Sequence, residues 1–348
     1  QFDSSHPTVQ SQKNFAATVL NAYPTPCVVL GYVGLGQPGG GSNEVDFVSA
    51  LSGGSAATNS ALAGSSPVAH GGFYYSASQL TANMSVMSAF APFSGNSLPN
   101  PTAIPAYSAS QKYISIIASQ GDTLDWTENT LLNFMLQCQS AAMPIGITMT
   151  QVAQWLIPTV FDYYMNNVAT TSGIVTSGSG GAGYNHITQL PNISQFLATA
   201  AQLSANANIK DFFFIDGPGV NPLSNSSAVA SQYIGGLVSG GITPRACWWW
   251  SPTGVAPSIV NGTPCFFTAL PISQTNFSTQ AQCNTGVANA INSAKSNFIV
   301  MVLNTTFPNA TYLKNACQKS YNGVATVQPL TPGTFANLFR SANGFVQV

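Results

Sequence analysis

Lys112-Tyr-Ile-Ser-Ile-Ile-Ala-Ser-Gln-Gly-Asp-Thr-Leu-Asp-Trp126 is the stretch that decides the fold. Residues 112–118 are apolar almost throughout, which suits a strand buried on both faces, as happens when helices cover a parallel sheet. Gln120-Gly-Asp122 is turn chemistry, and residues 125–140 then place apolar side chains at three- and four-residue spacing, the pattern of a helix. The same succession recurs along the chain. Strands are expected at 27–33, 71–75, 144–148, 173–176, 211–215, 245–250, 264–269, 297–303 and 324–330, and helices at 149–167, 193–205, 227–238, 279–294, 309–320 and 334–342. Asn192-Ile-Ser and Thr331-Pro-Gly-Thr supply helix starts of the capping and Pro-containing kinds. Elements alternating in this way describe about eight βα units. The expected architecture is an α/β fold, (β/α)8-barrel-like, with parallel strands and surrounding helices; a doubly wound open sheet is the alternative. One compact unit is expected, in which residues 1–110 contribute the first strands and Gly/Ser-rich loops and residues 111–348 form the barrel portion.

Charge is scarce. The 348 residues include eight Lys and Arg and nine Asp and Glu, for a net charge of −1, and residues 47–111 carry none. Folded proteins usually keep roughly a quarter of their residues charged, which helps hold copies apart. A nearly neutral chain offers no electrostatic footprint for nucleic acid or anionic lipid, so neither is an expected partner. Membrane insertion is not expected either, because Gly, Pro, Asn and Ser interrupt every apolar run well before the roughly 20 positions a span needs. With 45% apolar residues and almost no net charge, the composition also argues against disorder.

Six cysteines, Cys27, Cys138, Cys247, Cys265, Cys283 and Cys317, occur without a CxxC or Cys/His spacing, which argues against zinc. An even number in a secreted chain favours three disulfides, so the barrel is expected to be disulfide-stapled; buried free thiols are the alternative. Glycosylation sequons begin at Asn83, Asn192, Asn225, Asn261, Asn276, Asn304 and Asn309, with Pro264 weakening that of Asn261. The chain starts at Gln1, as a mature form does after signal cleavage. Together these features lead to the expectation of a secreted, extracellular glycoprotein, its glycans supplying hydration that charged side chains do not.

Nine carboxylates bound any acid-base chemistry. Asp3 lies in the tail, Glu128 and Asp162 fall in helix patterns, Asp125 reads as a helix start, and Asp211, opening a strand, reads as a turn residue. Glu44 and Asp46 follow the first strand, while Asp122 and Asp216 follow later strands beside Gly121 and Gly217. In a parallel barrel, loops after strand C-termini build the site, so these are the candidate site acids. The Gly/Ser-rich stretches 34–42, 51–66 and 171–183 are candidate site loops on the same ground. In Trp248-Trp249-Trp250, strand alternation sends Trp248 and Trp250 to one face and Trp249 to the other, so at least one belongs to the core. Trp126, beside the Asp122 loop, is the better placed sugar platform. His6, His70 and His186 have no metal-ligand spacing, and no metal or cofactor is expected.

The opening stretch, with Pro144-Ile-Gly-Ile-Thr148 and Gly181-Ala-Gly-Tyr184, resembles in order and spacing the GxGYxYP family of putative glycoside hydrolases. Leu30-Gly-Tyr32, Glu44 with Ser49, and Asn83-Met-Ser-Val86 resemble its N-terminal portion, and Leu330-Thr-Pro-Gly-Thr-Phe335 with Leu338-Phe-Arg340 its closing strand and helix. The chain is a divergent member on this reading. Where the family has Asp-Gly-Asp-Asn, this chain has Gln120-Gly-Asp122-Thr123, and His186 and Ile187 stand where the name motif has Tyr and Pro. Glycosidases use two carboxyl groups, one as acid and one as base or nucleophile, and an amide can be neither. The resemblance implies a site with Asp122 and Glu44 as catalytic pair and Gly181, Gly183 and Tyr184 among the substrate-binding residues, which Trp126 and Asp216 join by their place after strands.

Two functions follow. The first is a catalytically degenerate barrel serving as an extracellular structural or self-assembling subunit, in a filament or matrix, with copies of itself as partners; a neutral surface packs without desolvating ions. The second is an active glycosidase or carbohydrate-binding protein that uses Asp122 and Glu44, with glycans as partners.

Overall fold

The computed structural model describes residues 98, 100–101, 103–119, 127, 130–151, 153–167, 172–176, 193–214, 227–250, 255–272, 277–303, 307–321 and 326–348, together with four short N-terminal strands. Of these, β1 (Phe2–Asp3) and β2 (Val28–Gly31) pair in parallel with β3 (Val33–Gly34) and β4 (Phe73–Ser76) respectively, each couple forming a two-stranded sheet of its own.

The main sheet is built from β5 (Tyr113–Ala118), β6 (Ile145–Met149), β7 (Ser172–Thr176), β8 (Asp211–Phe214), β9 (Ala246–Trp249), β11 (Thr263–Ile272) and β12 (Phe298–Leu303), with β10 (Ser258–Val260) as an antiparallel hairpin partner of β11. Its order is β7-β6-β5-β12-β11-β9-β8, parallel throughout this path. Followed around the circle, each strand lies beside the next in sequence, and the last, β12, ladders along all of β5 from Tyr113 to Ala118. That succession is a barrel, open only between β7 and β8. A side chain bridges the gap: the Phe213 amide donates to Thr176 Oγ1 at 2.9 Å.

The barrel path thus has seven strands among the described residues, where eight were expected. The early strands pair among themselves, and the strand expected at 324–330 is reduced to β13 (Gln328–Pro329), whose proline has no amide to extend a ladder. It pairs only with Tyr113 and Ile114, at the N-terminal end of β5.

The helices are α1 (Leu131–Ser140), α2 (Ala153–Leu156), α3 (Pro158–Asn167), α4 (Ile193–Asn206), α5 (Ser227–Ser239), α6 (Gln280–Ser293), α7 (Ala310–Gln318) and α8 (Pro332–Ala342). The single helix expected at 149–167 is two, because Pro158 fits a first-turn position but cannot continue a ladder. Caps fix other starts: Thr279 and Gln282 form a capping box on α6, and Asn309 Oδ1 accepts from the Thr311 and Tyr312 amides on α7. No described helix is long and apolar enough to cross a membrane.

Strand alternation separates two cores. Ile114, Ile116, Ile299 and Met301 face outward and pack with the buried side chains of α1, α6 and α7, while Phe212, Trp249 and Phe267 face outward beneath α4 and α5. Tyr113, Ile117, Phe213, Trp248, Phe266 and Val300 face inward, and there they meet α8. That helix is buried on nearly every side, from Pro332 through Arg340, because it enters the N-terminal end of the barrel. Glycines on two strands admit it. A Cβ at Gly146 would lie 2.5 Å from Pro332 Cγ, and one at Gly173 would lie 3.1 Å from Pro332 Cδ.

The expected disulfide staples are corrected by the described cysteines. Cys138, Cys247, Cys265, Cys283 and Cys317 are buried free thiols, and Cys27 lies outside the described residues. Each occupies an apolar core position, where a thiol packs as a small hydrophobe. Burial pushes the Cys138, Cys265 and Cys317 thiols up to about 12 and Cys283 to about 11. Cys247 is raised too, by burial first and then by Cys265 and Asp211.

Candidate functional site

The two ends of a parallel barrel differ, and here the N-terminal end is occupied. Asp211 opens β8, and Arg245 immediately precedes β9, the strand laddered to it. Arg245 Nε donates to Asp211 Oδ2 at 3.1 Å, its Nη2 donates to the same oxygen, and Trp248 Nε1 donates to Oδ1 at 3.4 Å. Both ion-pair partners are buried. The reading of Asp211 as a turn residue is therefore corrected, since its partner arrives from the neighbouring strand. Arg340 of α8 donates to the carbonyls of Gly262 at 2.7 Å, Val346 at 2.9 Å and Arg245 at 3.5 Å, which ties the plug to the ion pair. Burial, and after it the Arg245 charge, lowers the Arg340 pKa. Asp211, Arg245 and Trp248 join β8 to β9, and Arg340 ties α8 to that pair.

The C-terminal end is where sequence reasoning placed the site, and its described side chains are uncharged. Ser119 follows β5; Thr148, Thr150 and Gln151 lie at the exit of β6; Thr176 ends β7; Trp250 follows β9. Trp250 is half-buried, stands on the inward alternation with Trp248, and meets Phe213 edge-on at 6.2 Å. Trp248 and Trp249 are core on opposite faces, as the alternation required. No described carboxylate stands at this end: Asp162 is on the outer helix α3, and Asp211 is at the other end.

Thr148 Oγ1 donates to the Ala118 carbonyl at 3.1 Å, and Gln154 Nε2 to the Leu203 carbonyl at 2.9 Å. Gln151, between them in sequence, is fully buried with neither Oε1 nor Nε2 partnered. A buried amide left so costs about 1–3 kcal/mol. Sequence reasoning missed this residue; the available signal was its place in a connection that follows a strand C-terminus.

Asp122, Glu44, Trp126, Gly181, Gly183, Tyr184 and Asp216 lie outside the described residues. The strands that precede Asp122 and Asp216 in sequence, β5 and β8, are described and are not neighbours in the strand order. Of the sequon asparagines, Asn261 and Asn309 are described and exposed; Asn83, Asn192, Asn225, Asn276 and Asn304 are not described.

The strand order, parallel along the path and nearly closed, makes this a barrel-like α/β fold. Residues 110–243 match the GxGYxYP putative glycoside hydrolase C-terminal domain, the family that the chain's motifs resemble. A putative hydrolase from Bacteroides thetaiotaomicron shares the fold with a TM-score of 0.71 and 13% identity, over 94% of this chain and 59% of that one. This chain therefore spans only about three fifths of that neighbour's length. A putative polysaccharide deacetylase from Mycobacterium smegmatis aligns with a TM-score of 0.44 and 7% identity, over 71% of this chain and 97% of that one. No curated protein matches the chain.

Proposed function

We propose that the chain is a secreted, glycosylated barrel that binds a neutral glycan without turning it over and serves as an extracellular structural subunit, packing against copies of itself. The observation that carries this reading is the composition of the C-terminal end, where Ser119, Thr148, Thr150, Gln151 and Thr176 are neutral and the described acids are elsewhere. Gln120 beside Gly121 and Asp122 supports it, because an amide there removes one carboxyl group of a close pair. The scarcity of charge supports the self-packing part, since like-charge repulsion is a main brake on association.

The family match favours a second reading, an active glycosidase with Asp122 and Glu44 as acid and base. The two are separated by binding and turnover measured together on a broad panel of neutral glycans, for wild type and Asp122→Asn. Binding without turnover, unchanged in Asp122→Asn, is the expected outcome. Turnover that collapses in the variant overturns it in favour of the enzyme. Negative-stain images of native material are expected to show filaments or sheets, and monodisperse particles at high concentration would remove the assembly role.

A further inference from the structure

We infer that Asn309 carries an N-linked glycan at the C-terminal rim of the barrel and that Asn261, at the opposite end, carries none, an inference that rests on the secreted, glycosylated reading above. Both asparagines are exposed, and both open the Asn-x-Thr pattern of a glycan acceptor, as Asn309-Ala-Thr311 and Asn261-Gly-Thr263. A chain rich in Asn, Ser and Thr makes such triplets by chance. The choice between them has to come from what the side chains do in the fold.

At Asn309 the two ends of the amide have separate duties. Oδ1 caps α7 by accepting from the Thr311 amide at 2.9 Å and the Tyr312 amide at 3.4 Å, while Nδ2 has no partner among the described residues. Glycosyl transfer uses only Nδ2. The C1–O bond of a polyprenyl-diphosphate-linked oligosaccharide breaks, an Nδ2–C1 bond forms, the diphosphate leaves with the electron pair, and one Nδ2 proton passes to a base of the transferase. Oδ1 remains an acceptor in the product, so the modified residue caps the helix as before. Capping accounts for Asn309, a position where Asp or Ser serves as well, but not for Thr311. Thr311 is exposed in the first turn and gives the cap only its backbone amide, and its hydroxyl has no partner among the described residues.

Asn261 is placed otherwise. With φ at 48° it makes, with Gly262, the two-residue turn between β10 and β11, a position that selects Asn for its backbone. Thr263 is 2% exposed and pairs with Val260 inside the hairpin, and Pro264 follows it. The turn also packs on α8, since the Gly262 carbonyl accepts from Arg340.

The two asparagines stand at opposite ends of the barrel. At the far end of α7 the Cys317 carbonyl accepts from the Val327 amide at 3.1 Å, and Gln328, next along, pairs with Tyr113 at the N-terminal end of β5. The start of α7, with Asn309, therefore lies toward the C-terminal end, as for a helix that follows its strand in a parallel barrel. The described side chains of that end are uncharged, and a glycan there supplies hydration.

The test is made on native material, digested and treated with peptide N-glycosidase in heavy-oxygen water, which turns each glycosylated Asn into a labelled Asp for mass spectrometry. A control without the glycosidase corrects for spontaneous deamidation at Asn261-Gly262. Label is expected at Asn309 in most molecules and is expected to be absent from Asn261. Asn309 unlabelled while another sequon is labelled overturns the assignment and leaves the glycoprotein reading standing. Label at Asn261 overturns the exclusion of that site, and no label at any sequon overturns both the inference and the reading it rests on. In the whole chain secreted from a eukaryotic host, Asn309→Asp and Thr311→Ala are each expected to lose the mass of one glycan, and Thr311→Ser to keep it. Asp retains the cap, and Thr311→Ala leaves the capping amide in place, so folding is expected to survive both. Wild-type mass in either of these two variants overturns the inference.

Discussion

At the N-terminal end of the barrel one carboxylate, Asp211, receives three hydrogen bonds, whereas at the C-terminal end one amide, Gln151, receives and gives none. The first end is filled by aromatic packing as well: Phe335 lies 5.0 Å from Phe266 and 5.3 Å from Phe298, and Phe339 lies 5.1 and 5.0 Å from the same two rings. The difference lies in these two groups, since Ser172 Oγ at the N-terminal start of β7 is also buried without a partner. In a chain with eight basic residues, one arginine pairs with Asp211 between β8 and β9 and another ties α8 to the same end.

The comparison breaks most readily at the ion pair. Arg245→Ala strands the Asp211 carboxylate in the interior and is expected to cost about 3–5 kcal/mol in urea unfolding. The paired replacement Asp211→Leu with Arg245→Met is expected to recover most of that loss, because it removes both charges. A small effect of Arg245→Ala would mean that the N-terminal end does not carry the stability assigned to it. Gly146→Ala comes next. Its Cβ would press on Pro332, at the start of α8, and overpacking there is expected to cost about 1–3 kcal/mol. An unchanged urea midpoint would show that α8 can retreat without loss.

Much of the fold was legible from local pattern. The apolar run 112–118 is β5, Asn309 and Thr331 do cap helices, and alternation sorted Trp248 from Trp249. What was not legible depended on partners distant in sequence. Asp211 looks like a turn residue until Arg245 is laid beside it by β8 and β9. The strand count fell from eight to seven because 324–330 becomes a helix lead-in. The β10 hairpin does carry a local signal, Asn261-Gly262: both residues take positive φ, 48° and 73°, as a two-residue turn between antiparallel strands requires. The site was legible only as a location. Asp122 and Asp216 were assigned to strand exits by order alone, while Gln151 carries no motif and is conspicuous only through its missing partners.

Thr176→Val sharpens the comparison at the seam between β7 and β8. It removes the hydroxyl that accepts from the Phe213 amide across the seam and leaves that buried donor unpaired, at an expected cost of about 1–3 kcal/mol. A loss much smaller than this would mean that β7 and β8 are held by side-chain packing instead of by the bridge. Thr176→Ser keeps the hydroxyl and is expected to lose much less, a contrast that chemical denaturation resolves directly.

The smallest effect per group belongs to the thiols, which lie in the outer cores and not at either end. Cys138, Cys265 and Cys317 have folded-state pKa values raised from 9.0 to about 12 by burial. In the unfolded chain each ionises first, so the stability that comes from keeping it neutral is complete below pH 9 and is lost as pH climbs from about 9 toward 12. At pH 10 the loss is about 1 kcal/mol per thiol under reducing conditions, read as a falling urea midpoint between pH 8.5 and 10.5. Cys265→Ala is expected to flatten part of that slope while lowering stability at pH 7, where the thiol packs as a hydrophobe. A pH profile that Cys265→Ala leaves unchanged would place the thiolate outside the core, and with it the β9 and β11 face that Cys265 shares with Cys247.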